Sequence, residues 1–538
     1  MGSAQPKTLQ AFHNRTFRTL WCASVVSNTG GMIQLVGAAW LMTLLSSSER
    51  MVALVQASVT LPIMAISLVA GVLADNYERR SVMLAAQVMM LVISSILATI
   101  VLLDLVTPWL LLSLTFAISI GTALHNPSWQ ASFTDLVPRE DLPSAATMNA
   151  MGMNITRSLG PAVGGLIVAT FGIGAAFLIN AASYIAIIAG LLAWRPVRPE
   201  RALPRETFYR ALETGLRYFL VSPNIINISI RGFIFGFAAI SMQALLPLVA
   251  RDVLGADAMV YGMLLGAFGS GAVVGAFAAA RIRSDLSVEQ ICKLSFGVFA
   301  LATISVAYVE NVWLSCLSIF IAGASWININ SLLNVSVQMS VPRWVLGRMI
   351  AFFMTFIFGG MTLGSWTWGA ASEAFGLQLA FVAAALVLCC GLFWGYVFPI
   401  HSYPVTDLDP LDHFVAPAIR LDLNTRSGPI SIIVEHDIAE DDVPAFLDAM
   451  ATWRRIRLRD GARRWSLLRD IEIPGRWVET YHLSTWTDYV RYVGRRTVAD
   501  RHVLERLKAL QRDQRPMQVH RMVKQQTIPQ HRDGMSEG

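Results

Sequence analysis

The sequence predicts an all-α membrane domain made of two similar six-helix halves, followed by a small cytoplasmic α+β domain. The chain is 54% hydrophobic and only 14% charged, whereas soluble domains carry about 25% charged residues. Long apolar runs are confined to residues 1–400, while residues 401–538 hold seven of the nine histidines. A sequence repeat, described below, relates the two halves of the apolar region.

Twelve membrane spans are predicted, because a helix needs about 20 mainly apolar residues to cross a bilayer. The first span follows a polar lead and is longer than a signal-peptide core, so we expect a retained helix. The five cysteines fall within spans without disulfide or metal spacing, which predicts packing roles and no metal site. The spans lie at residues 18–45, 51–74, 81–104, 108–130, 143–169, 171–194, 225–249, 259–282, 288–309, 312–337, 347–371 and 376–399.

The distribution of basic residues predicts the orientation. Arginines concentrate before span 1 and after the even-numbered spans, whereas the opposite loops carry only Arg50 and Arg251 among several acids. We therefore expect a multi-pass protein of the bacterial cytoplasmic (inner) membrane, surrounded by membrane lipids, with both termini cytoplasmic. This bias accounts for the net charge of +6, so no nucleic-acid partner is expected.

An internal repeat appears when the chain is offset by 204 residues. Residues 137–180 align with residues 341–384 without a gap, and both segments begin with VPR and share glycines. Two parallel six-helix repeats are typical of secondary transporters, whose substrate site lies between the halves. The predicted organisation is an N-terminal six-helix bundle at 1–194, a cytoplasmic linker with an amphipathic helix at 195–224, and a C-terminal six-helix bundle at 225–400.

The segment after span 2, GVLADNYERRSVM (71–83), sets an acid beside two arginines at a cytoplasmic helix end. Such charges can pair in one conformer and separate in another, which biases a hinge; alternatively, the arginines reflect orientation alone. Residues 15–400 resemble the major facilitator superfamily, with departures at Asn76 and Glu78. The resemblance implies the twelve-helix fold of that superfamily and a conformational gate at Gly71, Asp75, Arg79 and Arg80.

Span 5 contains NITRSLGPAVGG (154–165), where an arginine, a proline and three glycines interrupt an apolar helix. The glycines permit close helix contact, and the cost of an arginine in lipid predicts that Arg157 faces protein or water. Glycine packing alone is the alternative, and it does not account for Arg157. The motif resembles that of antiporting exporters, in particular the subgroup of transmembrane secretion effectors that includes enterobactin exporters. The resemblance implies an antiporter motif at Asn154, Arg157, Gly160, Pro161, Gly164 and Gly165.

Polar side chains within spans 1, 4, 7 and 10 are predicted to line a central substrate cavity, as those four helices do in the superfamily. Helix–helix hydrogen bonding is the alternative for each residue. The first-half spans hold no deep carboxylate, and His125 is the one intramembrane histidine that could titrate near neutral pH. The proton-carrying residue therefore stays open. The candidate cavity residues are Asn28, Gln34, His125, Asn126, Gln130, Gln243, Asn328, Asn330 and Asn334.

The C-terminal region is predicted to comprise a linker (401–427), a folded domain (428–525) and a disordered tail (526–538). Its pattern gives the order βαββαβ, which is typical of a ferredoxin-like α+β fold. It resembles the dimeric α+β barrel of antibiotic-biosynthesis monooxygenase relatives, which implies a homodimer through this domain. His436, His482 and Trp465 could line a pocket. There is no metal-ligand spacing, nucleophile motif or phosphate loop, so an interaction module without a cofactor is favoured over an enzyme, and no catalytic residue is assigned.

Together these features predict a secondary active exporter of a small amphipathic organic compound, either siderophore or drug-like. It would work by alternating access, with protons as the expected coupling ion. The ATP-binding pattern G-x-x-x-x-G-K-[ST] is absent from the sequence. Three alternatives remain: an importer, a transceptor that signals through the tail, and a transporter fused to a regulatory or enzymatic domain.

Overall fold

The computed structural model describes residues 7–195, 208–342, 344–400, 421, 427–493, 495, 497–512 and 517–524. The chain forms two compact units. One comprises Met1–Phe208, Asn224–Gln338 and Gly347–Ser402, and the other comprises Tyr209–Pro223, Met339–Leu346 and Tyr403–Gly538. Almost all of the predicted linker 401–427, the predicted tail 526–538 and residues 196–207 of the predicted central linker lie outside the described residues.

Six long helices form the first half of the larger unit. A short 3₁₀ helix, Lys7–His13, precedes them. Asn14 then caps the first helix, since its side chain accepts a hydrogen bond from the Phe17 backbone N–H at 3.1 Å. The helices are α1 (Arg15–Leu45), α2 (Glu49–Asn76), α3 (Arg79–Leu102), α4 (Pro108–Leu136), α5 (Leu142–Phe171) and α6 (Ile173–Ala193).

The second half repeats this arrangement after the linker helix α7 (Phe208–Val221). Its long helices are α8 (Pro223–Leu248, continued by a π-helical turn at Val249–Val253), α9 (Ala258–Asp285), α10 (Val288–Tyr308), α11 (Val312–Met339), α12 (Leu346–Phe375) and α13 (Leu377–Val397). The repeat extends to the turns: Gly172, between α5 and α6, has φ 83°, and Gly376, between α12 and α13, has φ 91°. Glycine suits this left-handed backbone because it lacks a Cβ.

Ten helices in the described residues are long and apolar enough to span a membrane, namely α2, α3, α4, α6 and α8–α13. Helices α1 and α5 contain 31 and 30 residues and occupy the positions of predicted spans 1 and 5. They are not among the ten, since polar side chains interrupt their apolar runs. A mostly helical membrane architecture is thus confirmed, and the crossing of all twelve helices stays a prediction.

Polar contacts join the two halves near the end of the helices where α1 ends and α2 begins. Glu373, at the end of α12, accepts a hydrogen bond from the Ser48 hydroxyl at 2.9 Å, and its carboxylate lies 3.6 Å from Arg50 Nε. Arg251 Nη1 donates to the carbonyl oxygen of Thr43 at 2.9 Å. These contacts hold the halves together at this end of the bundle.

The smaller unit contains a four-stranded antiparallel sheet. Its strands have the order β2-β3-β1-β4, and every neighbouring pair is antiparallel. The predicted final helical stretch is divided into two helices. The elements are β1 (Ile430–Asp437), α14 (Val443–Asp460), β2 (Arg463–Arg469), β3 (Arg476–Leu483), α15 (Trp486–Val493), α16 (Val498–Ala509) and β4 (Gln518–Val523).

Within this unit, the linker helix α7 contacts the start of β2. Arg463 Nη2 lies 2.7 Å from the carboxylate of Glu213, and Arg217 Nη1 donates to the carbonyl oxygen of Ala462 at 3.1 Å. The segment before α12 also contacts the C-terminal domain, because the Arg495 guanidinium lies 4.3 Å from the centre of the Trp344 ring. The C-terminal domain is therefore attached to two segments that lie between membrane helices in the sequence.

Candidate transport site and gate

One face of helix α5 carries a stripe of exposed apolar side chains, and Arg157 lies on the opposite face. Arg157 is two positions from both Ile155 and Leu159, which places it about 200° around the helix from each. Arg157 is itself exposed, so its side chain occupies an accessible space on the side away from that stripe. The stripe consists of apolar side chains that are 41–58% exposed, namely Met151, Ile155, Leu159, Val163 and Leu166.

The Arg157 guanidinium makes no hydrogen bond or ion pair within the described part of the chain. Asn154, almost one turn earlier on the same helix, is half-buried. An arginine inside a membrane domain faces the bundle interior or a water-filled cavity, because lipid cannot solvate its charge. Its positive charge attracts anionic or acceptor-rich groups into such a space.

Glycines bring α5 against α9 of the other half. A Cβ added at Gly165 would lie 2.7 Å from the Ala258 carbonyl oxygen and 2.8 Å from the Gly262 Cα. A Cβ at Gly269 would clash with the carbonyl oxygen of Arg157. Backbone atoms cannot swing away as a side chain can, so this interface requires glycine. The motif that contains Arg157 is therefore part of the contact between the halves.

The G-x-x-x-G pair of the motif faces α1. A Cβ at Gly160 would lie 2.7 Å from Met32 Cβ, and a Cβ at Gly164 would lie 3.0 Å from Ile33 Cα. Pro161 is buried inside α5 and does not end the helix. The small residues of this motif thus serve two contacts, one within the first half and one between halves.

The two arginines of the predicted gate make different contacts. Arg79 Nη1 lies 2.9 Å from Asp135 Oδ2 on α4 and donates to the Ala131 carbonyl oxygen at 2.6 Å. Arg80 Nε donates to the Leu191 carbonyl oxygen at 2.7 Å, at the end of α6. The other two predicted gate residues, Gly71 and Asp75, have side chains outside the described part of the chain.

Asp135 pairs with a predicted gate arginine, and the sequence pattern did not assign it to the gate. The signal that could have found it is its position near the C-terminal end of α4, two residues before the VPR segment of the repeat. The equivalent position in the second half is Met339, and Arg283, equivalent to Arg79, instead donates to the Ser331 hydroxyl at 2.7 Å. The acid–base pair is thus found in the first half only, among the residues described.

The nine candidate cavity residues differ in burial. Asn28 and Gln130 are exposed, Gln34, His125 and Asn328 are buried, and Asn126, Gln243, Asn330 and Asn334 are half-buried. Accessibility in the bundle interior is a requirement for contact with a substrate. The three buried residues, Gln34, His125 and Asn328, are the least accessible of the nine.

Two of the buried residues hydrogen-bond across helices. Gln34 Oε1 accepts from the Ser94 hydroxyl at 2.9 Å and also from Asn180 Nδ2. His125 Nδ1 lies 3.2 Å from Gln87 Nε2. These bonds favour the packing alternative for Gln34 and His125.

Two repeated sets of apolar helices that meet at a glycine interface are typical of membrane transporters of the major facilitator type. The chain belongs to the transmembrane secretion effector family, whose sequence profile matches residues 7–528. The relatives found are transporters, in agreement with the prediction that the chain is not an enzyme.

Several curated proteins are similar in sequence. The macrolide efflux protein A of Streptococcus pyogenes is 23% identical over 48% of this chain and 64% of its own length. The enterobactin exporter EntS of Escherichia coli O1:K1 is 28% identical over 60% of this chain and 79% of its own. The staphyloferrin A transporter of Staphylococcus aureus is 22% identical over 67% of this chain and 90% of its own.

Solved transporter structures share the fold. A bacterial homologue of the lysosomal transporter Spinster, inward-facing and unoccupied, matches with a TM-score of 0.58 and 14% identity over 71% of this chain and 96% of its own. The nucleoside transporter NupG matches with a TM-score of 0.56 and 13% identity over 71% of this chain and 99% of its own. At such low identity these likenesses concern the fold alone.

Proposed function

We propose that this protein is a secondary active exporter, which moves a small amphipathic organic compound across the bacterial cytoplasmic membrane in exchange for protons. One observation carries the proposal. Arg157 is exposed on the face of α5 opposite its apolar stripe, while its own backbone packs on α9 of the other half. A substrate group that binds Arg157 would therefore act directly on the contact between halves.

Alternating access follows from where the halves meet. All twelve long helices would cross the membrane, with both termini cytoplasmic. The contacts of Glu373 and Arg251 with the α1–α2 region would then lie at the non-cytoplasmic end, so the conformation described would be open to the cytoplasm. An exporter loads its substrate in this state. Release requires the α5–α9 contact to open.

The charge of Arg157 supports a substrate with anionic or acceptor-rich groups. With no ion-pair partner in the described residues, the guanidinium is available to bind such a group, and repels a cation. Two relatives are named for enterobactin and staphyloferrin A. A siderophore-like compound is therefore favoured over a lipophilic cation, and the exposed Asn28 and Gln130 would add hydrogen bonds.

The gate would use the arginines that follow α2. The Arg79–Asp135 pair, with both side chains 21% exposed, would hold α3 to α4 in the cytoplasm-open state and separate in the other. Asp75 is the second candidate partner in this gate. Since Arg80 binds the end of α6, movement of the segment that joins α2 to α3 would also displace α6.

The C-terminal domain would serve as a ferredoxin-like interaction module attached to the linker helix. Its strand order and antiparallel pairing support that fold. The outer face of its sheet carries half-buried Ile433 and Val478, which would suit a homodimer contact. An importer, a transceptor and a fused enzyme are the competing functions.

Transport into energised inverted vesicles tests the proposal, with a catecholate siderophore and a fluorescent lipophilic cation as substrates. Wild type is compared with Arg157→Ala, with the charge-conserving Arg157→Lys, and with Ser158→Ala as the neighbouring control. We expect uncoupler-sensitive siderophore uptake that Arg157→Ala abolishes, Arg157→Lys retains in part and Ser158→Ala leaves intact.

The competing functions give different results. Uptake that neither the uncoupler nor Arg157→Ala changes would refute both the proton coupling and the role of the motif. An importer would accumulate substrate in right-side-out vesicles, a transceptor would give no net flux, and a fused enzyme would convert the compound chemically.

A further inference from the structure

The C-terminal domain contains a cavity of about 470 Å³ between its sheet and its helices. The cavity joins two hydrophobic clusters of the domain: Val434 and Tyr481 belong to one, and Trp453 and Leu507 to the other. Pockets for small molecules measure about 300–1,000 Å³ and are mostly apolar. The space and its wall therefore suit an organic molecule with an apolar body.

A buried ion pair forms part of this wall. Arg457 donates two parallel hydrogen bonds to Glu479, from Nε at 2.9 Å and from Nη2 at 3.1 Å, and the guanidinium lies 4.4 Å from the centre of the Tyr481 ring. Burial opposes ionisation of Glu479, but Arg457 outweighs it and lowers the pKa of the carboxyl. The pair is buried and satisfied within the domain, so it contributes no net charge to this wall.

His436 forms part of the cavity wall, with its side chain only 1% exposed. The Gln511 side chain is oriented by the backbone N–H of Asp437, which donates to its Oε1 at 3.1 Å, so Gln511 Nε2 is the donor to His436 Nδ1 at 3.1 Å. Burial lowers the pKa of His436 to about 4, so the neutral ring carries its proton on Nε2. That atom is buried without a hydrogen-bond partner among the described residues, and Glu479 Oε2 is 4.0 Å away.

The open side of the cavity is positively charged. Lys508 on α16 and Arg521 on β4 line it and are exposed. Arg521 Nε also donates to the Tyr489 hydroxyl at 2.6 Å. Since Glu479 neutralises Arg457, these two cations leave the described part of the lining with a net positive charge. An anion entering along this edge would be attracted, and a cation repelled.

We propose that this cavity binds a small organic anion with a flat apolar body, held by the aromatic wall and by Lys508 and Arg521 at the rim. All lining residues belong to the C-terminal domain, and the inference does not depend on the proposed export function. Of the three residues that the sequence suggested for a pocket, His436 lines it and Trp465 bonds Glu479 at 2.8 Å. The third, His482, lies on the opposite face and bonds Ser431.

Isothermal titration calorimetry on the full chain in detergent tests the proposal with three probes of one size and different charge: naphthoate, naphthamide and (naphthylmethyl)ammonium. We expect saturable binding of naphthoate, binding of the amide at least about tenfold weaker, and no binding of the cation. Equal binding of all three probes would overturn the proposal, since partition into detergent or apolar surface does not distinguish charge.

Variants locate the site. The double variant Lys508→Gln with Arg521→Gln changes exposed side chains only, and should weaken naphthoate binding by about tenfold or more. Arg506→Gln, on the same helix but outside the cavity lining, should leave it unchanged. Leu504→Trp would fill the cavity and abolish binding. Binding that survives both the double variant and Leu504→Trp would contradict this site.

Discussion

Replacing Gly165 by alanine tests the contact between the halves. The new Cβ would lie 2.7 Å from the Ala258 carbonyl oxygen and 2.8 Å from the Gly262 Cα. Carbon contacts settle at about 3.5–4.0 Å, so α5 and α9 must separate by about 0.7 Å. Overpacking of this kind costs about 1–3 kcal/mol, which changes the ratio of two conformers by about 5- to 150-fold.

The assay is a distance distribution between spin labels at Leu103 and Glu310, both exposed and both at the non-cytoplasmic end in the proposed orientation. The five native cysteines are replaced first. We expect Gly165→Ala to add a population at longer distance, because it destabilises only the state in which α5 and α9 are packed together.

The matched control is Gly31→Ala in α1, where an added Cβ would meet nothing within 4 Å. It should give the same distance distribution as the cysteine-replaced protein in which both glycines are kept. If Gly165→Ala gives the same distribution as Gly31→Ala, the α5–α9 contact does not govern access, and the alternating-access argument built on it fails.

Three further predictions concern the gate and the C-terminal domain. Glu479→Gln should cost the domain about 3–5 kcal/mol, since it breaks a buried ion pair. Glu435→Gln, at a partly exposed pair, should cost about 0.2–1 kcal/mol. Urea unfolding, monitored by hydrogen exchange of the β1 amides, compares the unfolding free energies of the two variants. His436 has its pKa lowered to about 4 by burial, so the folded domain binds fewer protons than the unfolded chain. Its stability should fall by about 3 kcal/mol as the pH drops from about 6.5 to about 4, and His436→Gln should flatten this loss in the same exchange measurement. Arg79→Gln and Asp135→Asn should each lower siderophore transport, and the double variant should lower it no further; additive losses would mean that the two residues act separately.

The sequence predicted the helices well where a long apolar run or a repeat marks them. Predicted span 5 at 143–169 corresponds to α5 at Leu142–Phe171, and glycines 204 residues apart, Gly172 and Gly376, end helices with similar positive φ angles. Hydropathy alone did not qualify α1 and α5 as spans. Some polar residues of α1 do pack within the bundle, as the hydrogen bonds of Gln34 to Ser94 and Asn180 show.

Contacts between distant residues were harder to predict. The cost of a charge in lipid predicted the inward side for Arg157, because that argument needs only the helix itself. The partner of Arg79 depends on how α3 meets α4, so Asp135 was not assigned. Likewise, the buried state of Gln34 follows from its bonds to α3 and α6, which no local pattern contains. The cavity around His436 needs three elements to meet.

Flux through the purified protein in liposomes tests the central claim most directly. The liposomes are loaded at acid pH, diluted into neutral buffer, and given a labelled catecholate siderophore outside. Proton antiport predicts accumulation inside above the external concentration, which an uncoupler collapses and which protein-free liposomes lack. Equilibration without accumulation, unaffected by the uncoupler, would contradict secondary active export coupled to protons.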